Sequence, residues 1–147
     1  MLAGTNGAGK STIGGEAFRA AGIEFFNPDE AALRIRAAAP HLAPSAVNSA
    51  AWHHGRRLLE RAIAERLDFA IETTLGGETM TTLLERAAAA GMEVRVWYAG
   101  LAGPELHIER VHRRVAKGGH DIPEADIRRR YDRSRLNLIR LMPKLAE

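Results

Sequence analysis

The residues Gly4-Thr5-Asn6-Gly7-Ala8-Gly9-Lys10-Ser11 fit the pattern G-x-x-x-x-G-K-[ST] without a mismatch. In such a loop, glycines let consecutive backbone N–H groups turn inward around phosphate oxygens, and the N-terminus of the next helix attracts the same negative charge. The apolar pair Leu2-Ala3 precedes the loop, and helical spacing follows it from Lys10 to about Ala21. This context favours a nucleotide site over a chance glycine-rich turn.

Each residue type in the loop has a predicted task. We expect Lys10 to reach the β- and γ-phosphates of ATP and the Ser11 hydroxyl to bind Mg²⁺. The loop also looks like that of ABC transporter ATPases. Their second motif, Leu-Ser-Gly-Gly-Gln, is matched only in part, by residues 75–78. The predicted nucleotide-binding residues are Gly4, Asn6, Gly7, Ala8, Gly9, Lys10, Ser11 and Thr12.

Strand-like and helix-like segments alternate along the chain. The apolar patterns predict strands at 2–3, 23–26, 69–72 and 93–98, and the start and stop signals predict helices at 10–21, 29–39, 44–67, 79–90, 104–117 and 123–142. This order predicts an α/β fold of the P-loop NTPase or kinase type, a three-layer sandwich with a mainly parallel sheet flanked by helices. We predict a single domain over 1–147, with the strand stub and phosphate loop in 1–12.

The first strand is expected to be truncated. Only three residues precede Gly4, whereas a strand of this kind has about five residues. We therefore expect the natural protein, or its relatives, to start upstream of Met1.

Composition excludes several classes of protein. Of the 147 residues 46% are hydrophobic and none is cysteine, so the chain is not disordered and has no disulfide, thiolate metal site or cysteine nucleophile. No uncharged apolar run approaches the roughly 20 residues that span a bilayer. We expect a cytoplasmic protein with no membrane partner.

The net charge of +3 is unevenly distributed. Residues 1–104 carry ten Lys or Arg against eleven Asp or Glu, and residues 105–147 carry eleven against seven. The basic last third predicts a surface for an anion, either phosphate or nucleic acid, or else a solvated helix face. Aromatic side chains, at 5%, are scarce for base stacking, so nucleic acid is the less favoured partner.

Polar residues follow the predicted strands at their carboxyl ends, where a parallel sheet gathers its chemistry. Asp29 follows the strand ending at Phe26, and Glu72, Thr73 and Thr74 end the next one. Asp29 has an alternative as a helix cap after Pro28, and the threonines have one as turn residues. A carboxylate such as Glu72 at the end of a buried strand needs a partner.

Four segments occur in order behind the loop: Asn27-Pro28-Asp29, Ile71-Glu72-Thr73-Thr74-Leu75-Gly76-Gly77, Ile108-Glu109-Arg110-Val111 and Gly118-Gly119-His120-Asp121-Ile122-Pro123. With them the chain resembles, over nearly its whole length, the zeta-toxin-like P-loop kinases, particularly the short zeta-like ATPases of bacteria. The resemblance implies an ATP- and Mg²⁺-dependent kinase that transfers the γ-phosphate to a hydroxyl of a small molecule. Zeta toxins phosphorylate UDP-N-acetylglucosamine, and the resemblance also implies an antitoxin protein as partner.

The resemblance also implies roles by position. Lys10, Asp29 and Arg110 match catalytic residues, with Asp29 as the base and Arg110 as a phosphate clamp. Glu72 and Thr74, together with Asp29, match residues that hold the acceptor. The arginine-rich stretch 104–130 is expected to form a lid hinged at Gly118–Pro123. The expected lid residues are Arg113, Arg114 and His120.

The sequence departs from the toxins at two points. Where His120 stands the toxins have an arginine, whose duty would pass to Arg113, Arg114 or one of Arg128–Arg130. The toxins also use an acid on the helix before the Glu-Thr strand, for which Glu60 and Glu65 are candidates. Two other functions stay open: a nucleic-acid-associated NTPase that uses the basic third, and an inactive nucleotide-binding partner protein.

Overall fold

A computed structural model describes residues 1–22 and 25–146, without the Ile13 side chain. The strands are β1 (Leu2–Ala3), β2 (Glu72–Thr73) and β3 (Trp97–Tyr98). The helices are α1 (Gly15–Ala20), α2 (Pro28–Ala38), α3 (Pro44–Glu65), α4 (Glu78–Ala89), α5 (Pro104–Val115) and α6 (Glu124–Leu141). A π-helical turn, Lys10–Gly14, leads into α1, and a 3₁₀ turn, Met142–Lys144, follows α6.

The described strands form a parallel sheet in the order β2-β1-β3. Leu2 pairs with Glu72 on one side of β1 and with Trp97 on the other. Phe26 makes a parallel bridge to Ile71, next to β2. The strands before α1, α4 and α5 and the bridge residue Phe26 before α2 therefore each lie beside a parallel partner, which confirms the predicted α/β architecture.

The strands are shorter than the sequence predicts. Residues 93–98 read as a strand, but only Trp97 and Tyr98 are in one, and 23–24 lie outside the described residues. Both β2 and β3 pair with β1, which has two residues before the loop turns away at Gly4. The length of each ladder is therefore set by its partner and not by the apolar run itself.

The helices begin and end close to the predicted positions because proline and glycine mark them locally. Pro28, Pro44 and Pro104 are the first residues of α2, α3 and α5, where the missing N–H of proline costs no hydrogen bond. Each predicted helix is present, with ends shifted by one or a few residues.

Helices cover both faces of the sheet. Leu2 faces the helix that follows the loop, and a Cβ on Gly14 would come within 2.4 Å of the Leu2 Cδ1 atom. Ala3 points to the opposite face, where it belongs to a buried cluster with Leu84 of α4 and Leu141 of α6. These contacts give the three layers of the predicted sandwich.

Two more buried clusters support the site. The first contains Leu59 of α3, Leu83 of α4 and Ile71, which directly precedes β2. The second joins α5, α6 and the segment between them, and it contains Ile108, Val111, Ile122 and Ile127. Within the described parts of the chain, we find no helix with the length and apolar character needed to cross a bilayer.

Candidate active site

The phosphate loop is held tightly against its neighbours. Gly4 has a φ of 140°, and a Cβ there would lie 2.0 Å from the Ala99 carbonyl oxygen. Gly7, with a φ of 79°, approaches the backbone of His107 so closely that its Cβ would lie 2.6 Å from that carbonyl oxygen. Only glycine fits either position.

A cleft of about 1160 Å³ opens at the carboxyl ends of the strands. Gly4 and Ala8 are buried in the loop and do not line it. All the other predicted site residues do: Asn6, Gly7, Gly9, Lys10, Ser11, Thr12, Asp29, Glu72, Thr74, Arg110, Arg113, Arg114 and His120.

The Glu72 carboxylate lies beside the two reactive side chains of the loop. The Ser11 hydroxyl lies 3.0 Å from each Glu72 oxygen and donates to them. The Lys10 ammonium lies 3.9 Å from Oε1 of Glu72 and 3.4 Å from the Thr5 carbonyl oxygen. The partner that a buried Glu72 requires is therefore the phosphate loop itself.

Burial governs the charges of this pair. It lowers the pKa of Lys10, an effect that Glu72 and then Asp29 oppose and that Arg114 and Arg130 reinforce. Burial also raises the pKa of Glu72, against the opposing influence of Lys10 and Ser11. Lys10 is thus a buried ammonium with other cations nearby, and a phosphate that binds here would add the negative charge that favours its protonated form.

Asn27 was not predicted as a site residue, but its contacts decide whether Asp29 acts as a helix cap or is available as a catalytic base. Its side-chain oxygen accepts hydrogen bonds from the backbone N–H groups of Asp29 at 2.9 Å and Glu30 at 3.4 Å, so Asn27 caps α2. Its amide nitrogen lies 3.4 Å from Oε2 of Glu72 and donates to it. The alternative in which Asp29 caps the helix is wrong, because Asn27 performs that task and leaves the Asp29 carboxylate exposed in the cleft.

Both threonines after Glu72 do act in turns. The Thr73 hydroxyl accepts from the N–H of Leu75 at 3.1 Å, and the Thr74 hydroxyl accepts from the N–H of Gly76 at 3.4 Å. Leu75 itself has a φ of 53°, and Asn137 of α6 donates to its carbonyl oxygen at 2.9 Å. Thr74 still lines the cleft, so its hydroxyl proton is available to a ligand.

The predicted lid arginines differ in their present contacts. Arg113 pairs with Glu109 one turn away on α5, whereas Arg110 is exposed in the cleft. Arg114 donates to the carbonyl oxygen of His120 at 2.6 Å and so ties the end of α5 to the segment before α6.

Of the run Arg128–Arg130, only Arg130 lines the cleft. It donates to the Asn6 side-chain oxygen at 2.8 Å, which places its guanidinium on the phosphate loop. Arg128 and Arg129 pair instead with Glu105 and Asp126. Consecutive residues of a helix point in different directions, so the sequence alone does not show which of the three arginines faces the cleft.

The acids proposed on α3 lie elsewhere. Glu60 pairs with Arg56 at 3.1 Å and Glu65 pairs with Arg61 at 3.0 Å, and neither lines the cleft. The prediction that one of them joins the site is therefore wrong. The α3 residues that line the cleft are in the first half of the helix, namely Ser45, Asn48, Ala51 and Trp52.

His107 supports the loop from behind. It is completely buried, and its Nδ1 lies 2.8 Å from the Asn6 carbonyl oxygen. Since a carbonyl oxygen only accepts, Nδ1 carries the proton, and Nε2 is buried without a partner among the described residues. Desolvation lowers the pKa of His107.

The donor set around Ser11 fits Mg²⁺. A hydroxyl and a carboxylate lie together beside the loop, and Mg²⁺ is usually bound by one or two such groups with phosphate oxygens and water. The described residues contain no group of three or more acids or histidines able to hold a metal alone. The site therefore suits a metal that arrives with a nucleotide.

Comparison with known proteins agrees with this geometry. The sequence model of a family described as "AAA domain" matches residues 1–135. An uncharacterized protein of Haemophilus influenzae is 31% identical over 129 residues, which cover 87% of this chain and 88% of that protein. No solved structure matches the chain. The match over nearly the whole chain shows that this protein belongs to that AAA domain family, a group of P-loop NTPase-type domains that includes kinases.

Proposed function

We propose that the protein is an ATP- and Mg²⁺-dependent phosphotransferase that transfers the γ-phosphate to a hydroxyl of a small molecule. One observation carries the proposal. An exposed carboxylate, Asp29, shares a cleft with Lys10 and Ser11 and has no duty as a helix cap. The same cleft continues past the phosphate loop to Thr74, Thr79 and Trp52, which leaves a place for an acceptor beside the nucleotide.

The residues divide the reaction between them. The loop N–H groups and Lys10 bind the phosphates, and Ser11 and Glu72 hold Mg²⁺, which neutralises phosphate charge when bound. The acceptor oxygen attacks the γ-phosphorus while the bond to the ADP oxygen breaks, and Asp29 accepts the proton of the acceptor hydroxyl. Arg110 and Arg114 then contact the phosphate oxygens from α5.

The acceptor is expected to lie between Asp29 and Thr74, which both line the cleft. The resemblance to zeta toxins makes a nucleotide sugar such as UDP-N-acetylglucosamine one acceptor to test. A nucleic-acid partner has less support, because surface arginines of the basic third, such as Arg128 and Arg129, are engaged with carboxylates.

The test is to incubate the protein with ATP, Mg²⁺ and a metabolite extract and to search for phosphorylated products by mass spectrometry. We expect a new phosphorylated metabolite with the wild type and none with Asp29→Asn. Release of inorganic phosphate alone, at the same rate in both proteins, would mean an NTPase without an acceptor.

A further inference from the structure

One wall of the cleft is built by residues to which the mechanism above assigns no task. Ser45, Asn48 and Trp52 line the cleft from α3, and their spacing of three and four residues places them on one side of that helix. We call these three residues the α3 face. They present a hydroxyl, an amide and an indole, groups that bind neutral hydroxyls and apolar ring faces.

Close packing holds α3 against the segment that carries Asp29. Gly55 lies so near Phe26 that a Cβ would come within 2.5 Å of the Phe26 ring. The His54 ring lies 5.5 Å from the same ring, and α2 packs along α3. Since Phe26 directly precedes the cap of α2, the α3 face and Asp29 belong to the same wall.

Charge is divided between the two walls. In the described lining of the cleft, the lysine and arginine side chains outside the phosphate loop all come from α5, α6 and the segment between them, where two acids, Asp121 and Asp126, also line the cleft. These basic residues are Arg110, Arg113, Arg114, Lys117 and Arg130. The described lining residues between 27 and 80 include the acids Asp29 and Glu72 but no lysine, arginine or histidine. An anionic group on the acceptor would meet a carboxylate on this wall and no cation, and like charges at close range repel each other.

We infer that the α3 face, with Thr74 and Thr79 from the segment around β2 and α4, forms an acceptor subsite for a small polyhydroxylated molecule that carries no phosphate or carboxylate. Both threonines line the cleft and add hydroxyls that donate and accept. The inference rests on the proposed function and narrows it, because it places phosphate-free polyols ahead of nucleotide sugars.

Trp52 provides a direct signal for binding. The chain has two tryptophans, and Trp97 lies outside the cleft with its ring 4.7 Å from that of Phe18. The Trp97→Phe protein, saturated with ADP and Mg²⁺, is titrated with each compound while the fluorescence of Trp52 is recorded. The compounds form two matched pairs, N-acetylglucosamine with its 1-phosphate and myo-inositol with its 1-phosphate. We expect the phosphate-free member of at least one pair to bind at least tenfold more tightly than its phosphate.

A charge placed on the α3 face tests the electrostatic argument. Asn48→Arg should weaken binding of the phosphate-free compound at least tenfold and strengthen binding of the phosphate. Ser49→Arg is the control, because Ser49 is exposed and does not line the cleft, and it should change neither. Tighter binding of the phosphates by the wild type, or no response to any of the four compounds, contradicts the inference.

Transfer from γ-labelled ATP to the same four compounds separates this inference from the proposed function. Transfer that favours a phosphorylated compound supports the kinase and overturns the subsite. Binding that favours a phosphate-free compound, with no transfer to any acceptor in a metabolite extract, supports the subsite and overturns the kinase.

Discussion

At the scale of single residues, Asn27 and Asp29 divide two tasks that a sequence pattern cannot separate. The Asn27 side chain caps α2 through the backbone N–H groups of Asp29 and Glu30 and also donates to Glu72. The Asp29 carboxylate is left to the cleft. The sequence Asn27-Pro28-Asp29 predicts a helix N-cap at one of its two polar residues, and the backbone geometry shows that Asn27 provides it.

Asp29→Asn should therefore lower phosphoryl transfer by about two to four orders of magnitude without changing ATP affinity or melting temperature. The amide keeps the shape of the carboxylate but does not accept the proton. Asn27→Ala removes the cap instead, and it should cost about 0.5–2 kcal/mol of stability. Rates of transfer, ATP affinity and thermal melts on the three proteins check this. Equal rates of phosphoryl transfer in Asp29→Asn and the wild type would show that Asp29 is not the catalytic base.

Lys10→Ala should abolish tight ATP binding or turnover while the circular dichroism spectrum stays that of the wild type. The ammonium is buried at the loop, where burial lowers its pKa and Glu72 is its ion-pair partner. Its burial is therefore compensated best by phosphate. Lys144→Ala, which removes a surface pairing with Glu85 far from the loop, should bind ATP normally. Normal ATP affinity and turnover in Lys10→Ala would show that the loop is not a phosphate site.

At the scale of elements, the local signals predicted the helices well and the strands less well. Proline and glycine act within their own turn, so the helix ends are close to the predicted ones. Strand length depends on a partner distant in sequence, and residues 93–98 shorten to Trp97–Tyr98 for that reason. Likewise Arg130 reaches the loop while Arg128 and Arg129 do not, because the orientation of α6 selects one of the three.

The segment Gly118–Pro123 should act as the hinge of the lid when nucleotide binds. Arg114 now donates to the His120 carbonyl oxygen, and a phosphate would offer its guanidinium a stronger, charge-assisted partner. Hydrogen exchange of residues 116–122 should slow when an ATP analogue and Mg²⁺ are added, whereas residues 39–43, between α2 and α3, should not change. Equal protection in 116–122 with and without nucleotide would mean that the arginines form a solvated face.

At the scale of the whole molecule, the loop and the alternation of elements predicted a P-loop NTPase-type domain with three layers, because both are local patterns with a fixed topology. The finer resemblance to zeta toxins has no support in the family match. The far wall of the cleft could not be predicted. Ser45, Asn48 and Trp52 look like the solvated side of a long helix, but they line the cleft, and the same helix packs closely on Phe26 at Gly55. That contact joins elements that the sequence leaves far apart.

The stability of the whole molecule should depend on pH through His107, which joins α5 to the phosphate loop. Desolvation lowers its pKa in the folded state, so the unfolded chain takes up this proton first as the pH falls. The wild type should lose stability below about pH 6.5, by up to about 1.4 kcal/mol for each pH unit until the folded-state pKa is reached.

The variant His107→Gln can still donate to the Asn6 carbonyl oxygen, but glutamine does not titrate, so this variant should lose less stability between pH 7.5 and pH 5.5. His112→Gln, exposed on the same helix, should keep the loss seen in the wild type. Urea unfolding at pH 7.5 and pH 5.5 measures the three differences. An equal loss in His107→Gln and the wild type would show that the acid sensitivity arises elsewhere.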